Sequence, residues 1–304
     1  MHKFSSGGRR HLLVLGFYIL LSLVLTWPLI RNLATHVPGV AQWAFDESTF
    51  VWNIWYFKSA LIDQLSSPLH SELIWYPLGI DLVLYTYNFF NTVVALPLQV
   101  AANVPLASNL TLVLATVLSG FGTYLLALYV LHGTHVSHHS PFLLRPAALL
   151  AGIVYAFASN RAVYAALGHY DMVTTQWLPF YTLYFLKTLR QPGWRNAAWA
   201  GLFFALAALA EMIFASFLAL LSVILLLTTW PRLHLRPVVL SRLGLAALVA
   251  ALVWSPVLIP IVREFLTGDY ALAGWGESLK LSADLIGLVS PTDLNPLFRA
   301  LVDV

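Results

Sequence analysis

The chain contains no cysteine in its 304 residues, which excludes disulfides, thiolate metal sites and cysteine nucleophiles. Charge is nearly as scarce: Asp, Glu, Lys and Arg make up 10% of the chain, against roughly 25% in a soluble globular domain. The net charge is only +3, and the cations fall in short segments between apolar runs, so no nucleic-acid partner is expected. No Gly-rich phosphate loop, dinucleotide fingerprint, internal repeat, low-complexity tract or soluble domain stands out. What fills the chain is hydrophobic residues, 60% of the total. That composition implies an all-α protein, a polytopic bundle of transmembrane helices forming one module over residues 1–304.

The placement of positive charge predicts the topology. Residues 1–10 end in Arg9-Arg10, and the apolar run 11–30 follows, long enough to cross a bilayer, so the N-terminus is expected in the cytoplasm and the chain in the cell membrane. The run is long for a signal peptide and Leu33-Ala34-Thr35-His36 is a poor cleavage site, which favours an uncleaved first span. Arg145 with its neighbouring histidines, Lys187/Arg190/Arg195 and Arg232/Arg236/Arg242 should all face the cytoplasm. Parity then makes residues 87–105, broken by Pro97, a re-entrant or interfacial segment. The spans are expected at roughly 11–30, 107–131, 142–159, 173–188, 197–210, 212–230 and 242–262. Residues 197–230 form a hairpin turning near Glu211, residues 31–86 the first outer loop and residues 263–304 an outer tail.

Within that outer loop, Asp46-Glu47 precedes a segment in which Phe50, Ile54, Phe57, Leu61 and Leu65 share one helical face while Asn53, Lys58 and Gln64 fall elsewhere. The pattern is that of an amphipathic helix lying along a membrane surface. Asp46 is then either a catalytic acid or simply the helix cap. The same topology brings Gly168-His169-Tyr170-Asp171, Glu211 and Asp269-Tyr270 to the outer face. Ionisable groups at membrane depth are expensive, so their convergence reads as a substrate site. Asp171 suits a cation or a sugar hydroxyl, or with His169 it ends a helix in water. Glu211 is either a buried carboxylate driven towards its protonated form or a solvated turn. Arg161, on the outer side against the charge trend, either grips a lipid phosphate in bidentate fashion or snorkels to a headgroup. His132, His135, His138 and His139 sit in a Gly/Ser-containing loop without the second-shell partners a metal site needs, so no metal is assigned there. Asn109-Leu110-Thr111 matches a glycosylation acceptor but opens an apolar span and is read as chance. Gly120 and Gly122 are read as close helix packing.

Asp46-Glu47 ahead of an amphipathic helix, followed by Asp171 where a later helix emerges outward, resembles the opening module of the GT-C superfamily. These are polytopic glycosyltransferases that use a polyprenyl-phosphate sugar, among them the protein mannosyltransferase and aminoarabinose transferase branch. The resemblance implies sugar transfer at the extracytoplasmic face from a lipid-linked donor, with Asp46 as general base or acceptor-orienting group, Glu47 beside it and Asp171 as a second acid. His169 or Arg161 would serve the phosphate, with Tyr170 and Glu211 lining the substrate. A divalent cation is the one cofactor it leaves open. Its partners would be the donor, membrane lipids and a further chain or segment supplying additional spans. The rival readings are a transporter or lipid-handling scaffold, with Pro97, Pro179, Pro256 and Pro260 as helix breaks, and an inactive remnant of the family.

Overall fold

The computed structural model describes residues 6–39, 47–133, 141–191, 193–233 and 237–267. It is 80% helical. Among the described residues the strands form one antiparallel pair, β1 (His70–Ser71) with β2 (Ile80–Asp81). The helices are α1 (Ser6–Leu25), α2 (Glu47–Lys58), α3 (Phe89–Ala101), α4 (Val104–His132), α5 (Leu144–Ala156), α6 (Ser159–Ala166), α7 (Tyr170–Val173), α8 (Trp177–Arg190), α9 (Trp194–Ala210), α10 (Met212–Leu233) and α11 (Pro237–Thr267). One compact unit covers Met1–Ile261; a second, Val262–Val304, begins within α11, and of it only residues 262–267 are described. The expected outer tail, with Asp269-Tyr270, therefore lies almost wholly outside the described residues.

Five segments among the described residues are long and apolar enough to cross a membrane: Gly8–Leu25, Val104–His132, Leu144–Ala166, Met212–Thr229 and Pro237–Thr267. The expected count of about seven is met only in part. Helices α8 and α9 have 14 and 17 residues; at 1.5 Å per residue they rise about 21 and 26 Å, short of the roughly 30 Å hydrocarbon core.

Side-chain contacts fix how these helices run. Tyr18 of α1 is fully buried, its hydroxyl donates to Leu149 O of α5 at 2.9 Å, and a Cβ on Gly120 of α4 would lie 2.7 Å from its ring. A Cβ on Gly122 would lie 2.8 Å from Phe180. Both glycines thus act in packing, as expected. Tyr181, Phe203, Phe214, Leu218 and Ala246 belong to a second core that joins α8, α9, α10 and α11. The hydroxyls of Tyr181 in α8 and Ser222 in α10 are hydrogen-bonded. Because α9 stops at Ala210, Glu211 is extended (φ −159°, ψ 125°) and α10 starts at Met212, the chain reverses at Glu211 as the charge pattern required.

The bundle has two chemically different ends. At one, Lys187 Nζ lies 5.5 Å over the Tyr129 ring and Arg242 Nη1 donates to Gln191 O at 3.1 Å, with Arg190 and Arg195 in the same α8–α9 turn. The opposite end carries the loop after α1, the α5–α8 connection with Asp171, and the Glu211 turn. Helix α3 begins and ends there: Asn88 at its start donates to Thr174 Oγ1 at 3.3 Å, and Asn103 just beyond it donates to Ala34 O at 3.0 Å. A 13-residue helix with both ends on one side does not traverse the bundle, which fits the re-entrant or interfacial expectation for 87–105.

The reading of α2 as a helix lying along a membrane surface needs correction. Phe50, Ile54 and Phe57 do share a face and are buried, but against protein: Phe50 with Leu112 and Tyr170, Ile54 with Ala95 and Ala107, Phe57 with Leu82 and Tyr87. Asn53 Nδ2 donates to Thr86 O and Gln99 Nε2 to Ile54 O, both at 2.7 Å. Periodicity reports an apolar partner without saying whether it is lipid or protein. Past Lys58 the helix widens into a π-helical turn, Ser59–Asp63, so Leu61 and Leu65 leave the face and are exposed. Asn109 is fully buried and donates to Leu33 O at 2.8 Å and His36 O at 2.6 Å, so its glycosylation pattern is indeed coincidental.

Candidate functional site

The connection between α5 and α8 builds the site. Helix α5 ends at Ala156, α6 follows, and Gly168, at φ +75°, takes the left-handed turn that glycine adopts without strain. The one-turn helix α7 then leads through Thr174 and Thr175 into α8, whose first turn accepts Pro179 because no helical N–H is lost there. This connection divides two cavities. Asp171 and Met172 line one of them and Val173 lines the other, so α7 is their shared wall.

The larger cavity, about 700 Å³, is bounded by the segment after α1 (Thr26, Trp27, His36 among others), by Leu112 and Thr116 of α4, and by Arg161, Ala162 and Ala165 of α6. Its volume lies within the range of small-molecule sites. Arg161 is only 6% exposed. Its Nε donates to Ala156 O at 3.1 Å and its Nη1 donates to Thr175 Oγ1, while Nη2 is buried without a hydrogen-bond partner. The guanidinium carbon stands 6.0 Å over the Tyr155 ring. Among the described residues no carboxylate pairs with Arg161. A buried guanidinium held only by neutral acceptors is electrostatically costly and chemically suited to an anion. The side chain is thus enclosed by the protein and does not extend to the surface.

The smaller cavity, about 260 Å³, is lined by Val83, Tyr85, Tyr87 and Phe89 from the end of the first loop, by Asp171, and by Leu209, Glu211 and Met212 at the helical hairpin. Asp171 is 7% exposed, and its Oδ1 accepts the Met172 N–H at 2.8 Å. Burial pushes the Glu211 carboxyl above the ordinary carboxylate range; the Ile213 N–H, 3.4 Å from Oε1, works against that shift, and the charge of Asp171 adds to it. The Tyr87 hydroxyl is buried without a hydrogen-bond partner, and burial raises its pKa.

The expected convergence is therefore divided. Asp171 and Glu211 meet in one cavity and Arg161 lies in the next, with α7 between them. Tyr170 is 2% exposed and stacks on Phe50 with ring centroids 5.9 Å apart, in a cluster with Leu112 and Val173. His169 precedes α7 and meets the edge of Tyr164 at 5.7 Å. Asp46 lies outside the described residues, and Glu47 is placed only as the first residue of α2. Of the four histidines, His132 contacts Leu128 O at 2.6 Å and the other three lie outside the described residues. Among the described residues no three His, Asp or Glu side chains are grouped to hold a metal ion. Sequence reasoning missed Tyr87, Thr175 and the cavity-lining residues Thr26, Trp27 and Asn32, which carry neither a formal charge nor a periodic signal.

Comparison with protein-family models, with curated proteins and with solved structures finds no match for the chain. Its own geometry defines the class: a helical membrane protein with an apolar cavity holding one buried cation beside a smaller cavity holding two carboxyl groups.

Proposed function

We propose that the chain is an integral membrane glycosyltransferase that takes a sugar from a polyprenyl-phosphate donor at the extracytoplasmic face. In this reading α8 and α9 complete seven crossings, and the Lys187 end faces the cytoplasm by the positive-inside rule. The isoprenoid end of the donor occupies the larger cavity, with its phosphate on Arg161. The acceptor hydroxyl attacks the anomeric carbon, and the new C–O bond forms as the bond from that carbon to the phosphate oxygen breaks. A carboxylate takes the hydroxyl proton. Asp46 is assigned that role, with Glu47 and Asp171 as the accompanying acids, and His169, Tyr170 and Glu211 on the substrate side. Arg161, or a divalent cation held at the donor phosphate, offsets the charge that develops on the departing lipid phosphate.

The observation that supports this reading best is Arg161, a buried guanidinium with an unpartnered Nη2 at the wall of a largely apolar cavity. Largely apolar walls with one buried guanidinium match an amphiphile with an apolar tail and a phosphate head. The transporter alternative is less well supported: α11 continues through Pro256 and Pro260, and α3 through Pro97, so the prolines do not produce broken crossing helices.

The test uses the purified full-length chain and a radiolabelled isoprenoid monophosphate. A charge-assisted hydrogen bond is worth about 1.5–3 kcal/mol, so Arg161→Gln should weaken retention of the lipid about tenfold or more. Arg161→Lys should retain part of it, and Asp46→Ala should bind normally but transfer no sugar. Full-strength binding by Arg161→Gln would remove the phosphate assignment; undiminished transfer by Asp46→Ala would remove the base.

A further inference from the structure

The segment between α2 and α3 carries a second device that the transfer chemistry does not use. Strands β1 and β2 close a small hairpin whose base is fixed several times over. His70 Nδ1 and Asp81 Oδ1 lie 2.6 Å apart across the strands, the Tyr56 hydroxyl donates to His70 O, and the Leu82 N–H donates to Leu69 O at 2.7 Å. The tip is also specified: the Leu78 N–H donates to Trp75 O at 2.9 Å, and Gly79 takes φ +71° where a Cβ would lie 2.9 Å from the His70 ring. This well-held turn presents its apolar side chains outward. Trp75, Tyr76 and Leu78 are 73%, 82% and 84% exposed, with Leu73 beside them at 59%. No charged residue falls between Glu72 and Asp81.

The depth of the hairpin base in the bundle can be reckoned along α11. Tyr56 and Leu82 of the base share a core cluster with Val257 and Ile261 of that helix. Arg242 of the same helix bonds Gln191 at the cationic end. From Arg242 to Ile261 an α-helix rises about 28 Å, close to the roughly 30 Å thickness of a hydrocarbon core. The base of the hairpin therefore stands at the far boundary of a bilayer whose near boundary is the cationic end. A Trp-Tyr pair flanked by leucines at that level has the composition of a membrane-interface belt, where aromatic rings sit among headgroups.

We propose that the tip Leu73–Leu78 is an interfacial anchor, seated in the headgroup region of the lipid leaflet at the Asp171 end. Its occupant is the lipid surface itself. The anchor rests on the membrane topology and not on the transferase assignment, so either can fail without the other. By holding β1 and β2 against the bilayer it also fixes Val83–Phe89, the segment that lines the smaller cavity.

The native chain is free of cysteine, so a single introduced thiol reports one position. Leu78→Cys, and separately Tyr76→Cys, is labelled with the environment-sensitive fluorophore NBD in the full-length protein and reconstituted into phosphatidylcholine vesicles. The anchor predicts blue-shifted emission, loss of quenching by aqueous iodide, and stronger quenching by lipids carrying a nitroxide near the headgroup than by lipids carrying it at the chain terminus. Water-like emission with free iodide access at both sites would overturn it. So would a blue shift that disappears when the protein is diluted with excess lipid, since that result identifies a second copy of the chain as the occupant.

Discussion

Moving a guanidinium out of water costs several kcal/mol unless its hydrogen bonds are replaced, and at Arg161 the protein replaces them incompletely, through Ala156 O and Thr175 Oγ1. At Glu211 the cost is met differently: burial and the neighbouring Asp171 favour the protonated acid. The sign of the resulting pH dependence follows. A carboxyl whose folded pKa is raised binds a proton in the native state that the unfolded chain has already released, so stability falls as pH rises from the ordinary carboxylate range through the raised value. Below both values the effect is absent. Thermal unfolding of the detergent-solubilised chain should therefore show a melting temperature that declines across that window, and Glu211→Gln should flatten the decline while leaving the fold intact. Equal slopes for the two proteins would mean that Glu211 is solvated at the turn, the alternative its sequence context left open. The sequence identified Arg161, Asp171 and Glu211 because charge is rare in this chain and each one stands out. It could not say that α7 separates the first from the other two, because that depends on the path of a four-residue helix.

Elements were legible in proportion to how fully their surroundings are one kind of medium. The long helices α1, α4, α10 and α11 lie close to their expected ranges because uniform apolarity over about 20 residues has few other solutions. Helix α2 was found at the right place with the wrong partner, since its apolar face packs on α3 and α4. Contacts between helices depend on small residues, and two glycines on facing helices separate packing from propensity. A Cβ on Gly201 of α9 would run into Ala246 O of α11 and come within 2.9 Å of Val249 Cβ, whereas one on Gly244 of α11 would meet nothing within 4 Å. Gly201→Ala should destabilise by about 1–3 kcal/mol through overpacking. Gly244→Ala, with no clash to offset the gain in helix propensity, should be neutral or stabilising by up to about 1 kcal/mol. Unfolding in a detergent titration reads both. Equal effects at the two positions would mean that α9 and α11 do not approach as closely as Gly201 requires.

At the scale of the whole molecule, the governing quantity is the separation of charge along the bundle. Lys187, Arg190, Arg195 and Arg242 gather at one end, and Asp171 and Glu211 at the other, where the buried Arg161 stands against the trend. The sequence anticipated this distribution from the spacing of its cationic clusters, and the reversal at Glu211 and the non-traversing α3 follow from the same parity argument. Orientation in a living membrane is a separate matter, fixed by the preference of Lys and Arg for the cytoplasmic side. A chain without cysteine allows it to be measured one site at a time. Thr35 is exposed in the loop that borders the larger cavity, and Arg195 is exposed at the opposite end. In sealed cells of an expression host, a membrane-impermeant maleimide should label Thr35→Cys directly and Arg195→Cys only after lysis. The inverse pattern would place both cavities in the cytoplasmic half and exclude a donor approached from outside. Labelling of both from the same side would mean that the helices between them do not traverse the bilayer in odd number, and the charge asymmetry would then need an origin other than membrane insertion.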